Sequence, residues 1–287
     1  MSPFPDEEWD IEITPKSSLF DLKLKDTWHY RDLLLLLVRR DFVAFYKQTI
    51  LGPIWFFVQP IITILIYNLV FANLAGIKTD GIPGPLFYLA GTIIWSYFSD
   101  CLTKTSTVFR DNAAVLGKVY FPRLIMPLSI VLSNLIRFAV QFLLFILLIV
   151  IYWGRGALIV PHLTILLFPL LIIIIAALGL GLGMIISAAT TKYRDLAFVV
   201  TFAVPLLMYT TTVIYPLSTA VTKYPAYSWI IKFNPVTAVI ETLRYGFLGK
   251  GSFSWELLGY STGVTVVILL IGIIIFNKVE RTFVDTV

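Results

Sequence analysis

Apolar segments about as long as a bilayer is thick recur along this sequence, and they constrain its fold more than any other feature. A helix needs roughly 20 consecutive, mostly apolar residues to cross the hydrocarbon core. Of the 287 residues, 58% are hydrophobic and 14% are charged, whereas a soluble domain has about a quarter charged residues. We therefore expect an all-α polytopic membrane protein with six transmembrane helices, at about 54–75, 85–106, 124–152, 163–188, 196–215 and 257–277.

The region before the first apolar segment is expected to lie outside the hydrocarbon core. Residues 1–26 are polar and start with acidic residues, where a secretory signal peptide starts with basic ones, so we interpret them as a cytosolic N-terminal arm. In residues 27–50 apolar positions recur at intervals of three and four, on the helical face opposite Arg39 and Arg40. This pattern predicts an amphipathic interfacial helix in contact with membrane lipids. A soluble helix bound to a partner is the alternative.

The stretch between the fifth and sixth apolar segments has a different character. Residues 216–255 are moderately apolar, but three prolines interrupt the stretch, and it contains five charged residues. The apolar runs that remain are too short to cross a bilayer. We expect two short re-entrant or interfacial helices here, near 218–231 and 236–248, on the outer side of the membrane.

The distribution of Lys and Arg predicts the orientation of the chain. If the N-terminus is inside and six helices span the membrane, 15 of the 22 Lys and Arg residues lie in cytosolic segments and six lie in outer segments. Cytosolic loops of membrane proteins are enriched in these two residues. We therefore expect a multi-pass protein with both termini in the cytosol.

Motifs for catalysis, nucleotide binding or metal binding are missing from the sequence. The string at 246–252 lacks the glycine spacing of a phosphate-binding loop, and no Ser or Thr follows its lysine. Cys101 is the single cysteine, which excludes an internal disulfide, and the two histidines, His29 and His162, are far apart. We expect no enzyme activity, no cofactor, no metal and no nucleic-acid partner. Any ATP that drives the protein is hydrolysed by another chain.

Arg137 is expected near the middle of the third apolar segment, where a charge is costly. Asn134 and Gln141 share its helical face, so the segment carries a polar stripe. The stripe fits a water-filled conduit or substrate contact, and it equally fits a hydrogen-bond network between helices. Asp100 and Lys104 are four residues apart near the end of the second segment, and this spacing predicts a local ion pair.

Gly179 and Gly183 lie one helical turn apart in the fourth apolar segment. The run at 179–183 has no strand before it, so it does not have the context of a dinucleotide-binding motif. Two small residues four positions apart let membrane helices approach each other closely. We expect this face to pack against another helix.

Several short motifs follow one another in an order that is specific to one family. The loop at 110–128 resembles the signature of ABC-2 type permeases that export lipid-linked polysaccharides, namely O-antigen, capsule and teichoic acid exporters. Further similarity to this family covers about residues 30–287 and is carried by the stretches at 40–53, 191–195, 233–235 and 276–285.

The resemblance implies a set of partners and a division of the chain. Residues 27–287 would form one ABC-2 type transmembrane domain, with the helices in 216–255 as outer gate helices. Two copies of the chain would form a homodimer that binds two copies of a separate ATPase subunit on its cytosolic face. The residues implied to couple ATP hydrolysis to transport are Arg110, Asp111, Lys118, Arg123, Tyr193, Arg194 and Asp195.

The resemblance also implies an undecaprenyl-diphosphate-linked glycan as the transported molecule. Arg39 and Arg40 then either bind its diphosphate, since guanidinium groups pair well with phosphates, or only anchor the helix to anionic lipid headgroups. A long glycan needs a continuous, wet channel, and aromatic rings that bind weakly would let sugars slide. Core packing or lipid contact is the alternative role for such rings. The residues expected to line the channel are Trp55, Gln59, Tyr67, Arg137, Tyr209 and Tyr215.

Taken together, residues and resemblance predict the permease subunit of an ATP-driven exporter in the bacterial inner membrane. It would move a polyprenol-diphosphate-linked polysaccharide outward. An ABC-2 permease for a drug or a small lipid is the first alternative, because it would keep the same coupling loops. A membrane-embedded polyprenol-sugar enzyme is the second, but it requires acidic catalytic residues at the membrane edge, and the sequence has only scattered ones.

Overall fold

A computed structural model of the protein describes residues 24–47, 52–116, 121–193 and 195–283, and within them every regular element is a helix. The predicted N-terminal arm lies outside the described residues, apart from positions 24–26. The α-helices are α1 (Leu24–His29), α2 (Arg31–Lys47), α3 (Trp55–Tyr67), α4 (Gly84–Ser106), α5 (Val108–Asp111), α6 (Ala113–Leu116), α7 (Ile125–Gly154), α8 (Phe168–Lys192), α9 (Leu196–Leu207), α10 (Leu217–Lys223), α11 (Ser228–Lys232), α12 (Pro235–Leu248) and α13 (Trp255–Phe283).

Four stretches of the described chain are long and apolar enough to cross a membrane. They correspond to the predicted first, third, fourth and sixth spans, which confirms an all-helical membrane protein. In the first, a π-helical stretch (Asn68–Leu74) continues α3, and in the third of these stretches a 3₁₀ turn (Leu163–Leu167) precedes α8. The stretches are Trp55–Leu74, Ile125–Gly154, Leu163–Lys192 and Trp255–Val279.

The predicted second and fifth spans are helices, but they lack the length or apolarity of the other four. The second is α4, which is 23 residues long and packs against α3, α7, α8, α9 and α12. Protein rather than lipid surrounds it, so its Ser, Thr, Asp and Lys residues are tolerated. The fifth is α9 with the 3₁₀ turn Met208–Thr210. It stops at Thr210 and not at residue 215, because the backbone becomes extended at Thr211.

α8 lies at the centre of the bundle, and its glycines set how closely its neighbours approach. A methyl group added at Gly179 or Gly183 would lie 2.9 or 2.6 Å from Cys101 or Thr105 of α4. This confirms the predicted packing role of the two glycines. On another face of α8, Gly181 lies against α13, where an added methyl group at Gly272 would come within 2.6 Å of the Gly181 carbonyl oxygen.

The predicted amphipathic segment at 27–50 folds as two helices, α1 and α2, with a turn at Tyr30. α2 packs against α7 and buries Leu37 on that side. Leu35 and Leu36 remain 62% exposed, so α2 has apolar residues facing away from the protein as well as towards it. Positions 48–50 lie outside the described residues.

The predicted helix near 218–231 is divided into α10 and α11. Pro225 explains the break, because the residue before a proline is disfavoured in helical conformation, and Tyr224 has φ −134° and ψ 63°. The predicted helix at 236–248 is α12, and it is buried against α4, α8 and α13. Asn234 caps its first turn by accepting a hydrogen bond from the Val236 amide at 3.0 Å.

The two ends of the helical bundle can be distinguished by the residues that lie there. Near the start of α4, the Phe87 carbonyl accepts a hydrogen bond from Arg244 of α12, and we call this the α12 end. Near the last turn of α4, Lys104 lines a cavity together with residues of α2, α5 and α7, and we call this the α2 end. α5 also lies at the α2 end, where Phe109 stacks on Phe276 of α13 at 4.6 Å.

Candidate transport site

A cavity of about 440 Å³ lies at the α2 end between α2, α3, α4, α5 and α7, and we call it the α2 cavity. Three cationic side chains line it, Arg40 from α2, Lys104 from α4 and Arg137 from α7. Two carboxylates, Asp41 and Asp111, also face it. The cavity therefore collects charges from four separate helices, and its cations outnumber its carboxylates.

The α2 helix is fixed to the cavity through Asp41. The Arg40 guanidinium forms an ion pair with the Asp41 carboxylate at 2.8 Å, and the Ser133 hydroxyl of α7 donates to the same carboxylate at 3.5 Å. Arg40 thus faces the cavity while it remains partly open to solvent. Arg39, the other predicted phosphate ligand, is exposed and does not belong to the lining residues of the cavity.

Arg137 connects three helices at the inner limit of the α2 cavity. Its Nη1 atom lies 2.8 Å from Asp100 of α4, and its Nη2 atom donates to the Gln59 side-chain oxygen of α3 at 2.7 Å. Of the two roles that the sequence leaves open for Arg137, the network between helices is thus present. The same side chain also lines cavities on both sides of this network.

The predicted local ion pair between Asp100 and Lys104 is not formed. Asp100 pairs with Arg137 instead, and the Lys104 ammonium donates to the Asn134 side-chain oxygen at 2.8 Å. The reason is the antiparallel register of α4 and α7, which sets residues one turn apart on α4 opposite residues one turn apart on α7. Asn134 in turn lies 3.9 Å from the Cys101 sulfur.

A second, smaller cavity of about 40 Å³ continues from Arg137 towards the α12 end. Gln59 and Thr63 of α3, Thr92 of α4 and Gln141 of α7 supply its polar lining. The predicted polar stripe on α7 therefore borders both cavities, with Asn134 at the first and Gln141 at the second. Polar side chains therefore follow one another past Arg137, from the first cavity to the second.

Three of the predicted aromatic residues lie close together where α3 and α9 end. The Tyr67 hydroxyl is 3.7 Å from the Met208 sulfur, and the Tyr67 ring contacts Tyr88 of α4 edge-on. Tyr209 is 54% exposed, and its carbonyl oxygen accepts a hydrogen bond from the Tyr215 hydroxyl. The aromatic group formed by Tyr67, Tyr209 and Tyr215 is defined here as the tyrosine group.

Trp55 does not belong to the tyrosine group. It lies 12 positions before Tyr67, about 18 Å away along α3 at ~1.5 Å per residue, and its side chain is 40% exposed. Gln59 lies between the two, where it accepts the hydrogen bond from Arg137. The predicted lining residues of α3 are thus spread along the helix, from the α2 end towards the α12 end.

The predicted coupling residues that the structure describes lie at the α2 end. Arg110 and Asp111 are exposed and form an ion pair at 3.0 Å, and the Thr107 hydroxyl donates to Asp111 at 2.6 Å. Tyr193 and Asp195 are exposed after the end of α8. The remaining members are Arg123, which is half-buried, and Lys118 and Arg194, which lie outside the described residues.

A buried ion pair on α12 was not anticipated from the sequence. Glu241 and Arg244 lie 3.1 Å apart with side chains only 4% and 1% exposed. Arg244 also donates to the carbonyl oxygens of Phe87, Thr212 and Val213. The one available signal was the spacing of three between opposite charges in an apolar helix. The pair fixes α12 to the start of α4 and to the turn that follows α9.

Most of the described chain matches one known family of membrane proteins. The model of the ABC-2 type transporter family matches residues 32–248, which include α2 after its first residue, all three cationic residues of the α2 cavity and the tyrosine group. The chain belongs to the ABC-2 type transporter family. The chain is therefore a transporter protein, and the residues that line both cavities lie within the matched region.

Individual relatives resemble this ABC-2 type chain over almost its whole length. The O-antigen export system permease protein RfbA of Myxococcus xanthus is 29% identical over 92% of this chain and 98% of its own length. The protein of the same name from Klebsiella pneumoniae is 28% identical over the same shares. The polysialic acid transport protein KpsM of Escherichia coli is 24% identical over 80% of this chain and 87% of its own length.

Proposed function

We propose that this chain is the permease subunit of an ATP-driven exporter that moves a polyprenol-diphosphate-linked polysaccharide outward across the bacterial inner membrane. The observation that carries this proposal is the similarity to O-antigen export permeases over 92% of this chain and 98% of theirs. Their names place them in polysaccharide export, and no large insertion separates this chain from them. A chain of this family supplies the membrane path, and a separate ATPase supplies the energy.

The proposed topology has six spans and the α2 end in the cytosol. Four of the spans are the long apolar helices, and α4 and α9 are the other two. α4 crosses inside the bundle, and α9 is extended by the turn Met208–Thr210. The Lys and Arg distribution supports cytosolic termini. On this arrangement α10, α11 and α12 lie at the outer side, as gate helices.

The substrate loads at α2 in this proposal. Arg39 and Arg40 attract the diphosphate of the lipid-linked glycan to the membrane surface, because guanidinium groups form paired hydrogen bonds with phosphate oxygens. The exposed Leu35 and Leu36 hold α2 in the interface, where the polyprenol chain also lies. Arg40 is the residue through which the surface connects to the α2 cavity.

The glycan then passes along α3 and α9 in a homodimer. Trp55, Gln59, Arg137 and the tyrosine group offer a sequence of polar and aromatic contacts from the α2 end towards the α12 end. Each aromatic contact is weak, roughly 0.5–1.5 kcal/mol, so a sugar chain can move from one to the next. The apolar sides of α3 and α9 contain Ile62, Leu65 and Phe202, which are exposed in the single chain and are available to a second copy.

ATP hydrolysis reaches the membrane domain through the coupling residues. Arg110, Asp111 and Arg123 follow α4 or precede α7, and Tyr193 and Asp195 follow α8, so an ATPase docked on them would contact the ends of α4, α7 and α8. Of these helices, α4 and α7 line the α2 cavity. Lys118 and Arg194 belong to the same two stretches of the sequence. Asp111 is both a coupling residue and a lining residue of the cavity, which supports a short path between the ATPase and the substrate.

The test is polysaccharide export by cells that depend on this chain. Surface polysaccharide per cell, divided by the amount of permease in the membrane, is measured for Tyr67→Ala and Tyr209→Ala. We expect export to fall about two- to tenfold, in line with the ~0.5–1.5 kcal/mol of one aromatic contact, while ATP hydrolysis by the complex persists. Tyr152→Ala, a half-buried tyrosine at the end of α7, is the matched control. Cells without the chain that still export the polysaccharide would contradict the proposed function.

A further inference from the structure

We propose that the α2 cavity binds the diphosphate of the transported lipid, and that Lys104 and Arg137 are ligands of this group in addition to Arg40. The inference rests on the proposed function for the identity of the ligand, and on the structure for the site. Phosphate oxygens are strong hydrogen-bond acceptors, and they bind best where several cations converge from different directions. The α2 cavity is lined by three such cations.

Lys104 is the residue whose charge is left for a ligand. Arg40 has Asp41 at 2.8 Å and Arg137 has Asp100 at 2.8 Å, so carboxylates already offset these two charges. Lys104 donates to the neutral side chain of Asn134. Among the described residues, no carboxylate lies within ion-pair distance of its ammonium group. A bound diphosphate would supply a negatively charged partner for Lys104, and the two arginines line the same cavity.

The size and the lining of the cavity fit a lipid-linked ligand. A volume of about 440 Å³ falls in the range of roughly 300–1,000 Å³ that small-molecule sites occupy. Phe42 of α2 and Phe56 of α3 line it together with Met126 of α7, and the two phenylalanine rings stack at 6.3 Å. The cations therefore face an apolar wall formed by α2 and α3, where the first isoprene units of the lipid would lie.

Lys104 also gives the cleanest test, because its removal leaves no acid unpaired. Lys104→Gln keeps a donor for Asn134 but removes the charge, and Lys104→Arg keeps the charge. Arg137→Gln is unsuitable as a first variant, since Asp100 would lose its partner. Lys278→Gln, an exposed residue of α13 outside the lining of the cavity, is the matched control for the loss of one positive charge.

The experiment measures binding to the purified permease–ATPase complex in nanodiscs of phosphatidylcholine. The probes are a fluorescent polyprenyl diphosphate, the corresponding polyprenol without phosphate, and inorganic pyrophosphate as competitor. We expect Lys104→Gln to weaken binding of polyprenyl diphosphate by about tenfold or more, as for loss of one charged hydrogen bond. Lys104→Arg and Lys278→Gln should bind as the wild type does, and the polyprenol should bind equally to all variants.

The competitor distinguishes the sources of the phosphate. If pyrophosphate displaces the lipid from the wild type but loses this effect in Lys104→Gln, the cavity recognises phosphate by itself. If pyrophosphate has no effect while Lys104→Gln still weakens lipid binding, the lipid chain is required as well, and the site is again supported. Equal affinity of wild type and Lys104→Gln, or no binding to the wild type, overturns the site. The two proposals fail separately. If polyprenyl diphosphate binds as expected but cells without the chain still export the polysaccharide, only the proposed function is contradicted.

Discussion

Arg244 is enclosed by protein on every side, and this determines what its loss would do. Its guanidinium bonds the Glu241 carboxylate and the carbonyl oxygens of Phe87, Thr212 and Val213, and its side chain is 1% exposed. Water has no access to replace these partners. The residue therefore acts on stability, through the connection between α12, α4 and the turn after α9.

The first prediction concerns this ion pair. Arg244→Met would leave the Glu241 charge buried without its partner, which costs roughly 3–5 kcal/mol when one member of a buried pair is removed. We expect a large fall in the melting temperature and in the yield of monodisperse protein, measured by fluorescence-detected size-exclusion chromatography in detergent. The double variant Glu241→Gln/Arg244→Met removes both charges and should recover part of the loss. A single variant as stable as wild type would argue against the pair.

The sequence predicts which polar residues share a helical face, but it does not predict their partners on other helices. The polar stripe of Arg137, Asn134 and Gln141 could be predicted, because it follows from the spacing on one helix. The partners of Asp100 and Lys104 could not, because they depend on the register between α4 and α7, which the sequence of either helix does not contain. Asp100 pairs across this contact rather than along its own helix.

At the scale of the element, the contact between α4 and α8 depends on the absence of side chains. A methyl group on Gly183 would lie 2.6 Å from the Thr105 Cβ atom and 3.0 Å from the Leu102 carbonyl oxygen. Neither neighbour is the end of a flexible side chain, so the helices themselves must separate. This makes α4 and α8 a closely fitted pair at the centre of the molecule.

The second prediction compares two glycines in transmembrane helices. Gly183→Ala should destabilise the protein by roughly 1–3 kcal/mol, the usual cost of overpacking. Gly263→Ala on α13 meets open space, with nothing within 4 Å of the added methyl group, and should be neutral or slightly stabilising, since alanine is the better helix former. Thermal unfolding of the two purified variants provides the measurement. Equal stability of both would mean that α4 and α8 are less closely packed than described.

The third prediction concerns the proposed coupling element around α5. Arg110→Glu should weaken binding of the ATPase roughly tenfold or uncouple hydrolysis from export, because like charges facing each other across an interface cost several kcal/mol. Arg123→Glu should act in the same direction. The permease should stay folded, since the exposed pair of Arg110 and Asp111 contributes at most about 1 kcal/mol. Co-purification of the ATPase is the measurement, with Lys278→Glu as the control, and undiminished binding together with full export would exclude Arg110 from the interface.

The sequence predicts helices that face lipid better than it predicts helices that are buried by other helices. The long apolar helices such as α7 and α8 could be located because lipid demands an apolar surface over a fixed length. The buried state of α12 could not be predicted, because Arg244 is satisfied by contacts from α4 and from the 211–213 turn, and Glu241 by Arg244 and Ser252. The tyrosine group likewise depends on how α3 meets the end of α9. The proposed coupling residues come from the family resemblance, and their common end follows from the alternation of the predicted spans.

For the whole molecule, the orientation of the bundle can be tested with single cysteines. In a background where Cys101 is replaced by alanine, Lys192→Cys at the α2 end should react with a membrane-impermeant maleimide only from the cytosol. Lys78→Cys, in the connection between the first apolar stretch and α4, should react only from outside. Both lysines are exposed, so access is not limited by burial. Labelling of position 192 from outside would overturn the six-span arrangement.

The position of α4 inside the bundle has a consequence for how the protein is made. Asp100 and Lys104 bond residues that lie 37 and 30 positions farther along the chain, so α4 leaves the ribosome before its partners do. Its own hydropathy is below that of the four apolar stretches, and polar side chains oppose transfer into lipid. Insertion of α4 is therefore a joint event with α7, and the order in which helices leave the translocon becomes part of the folding pathway.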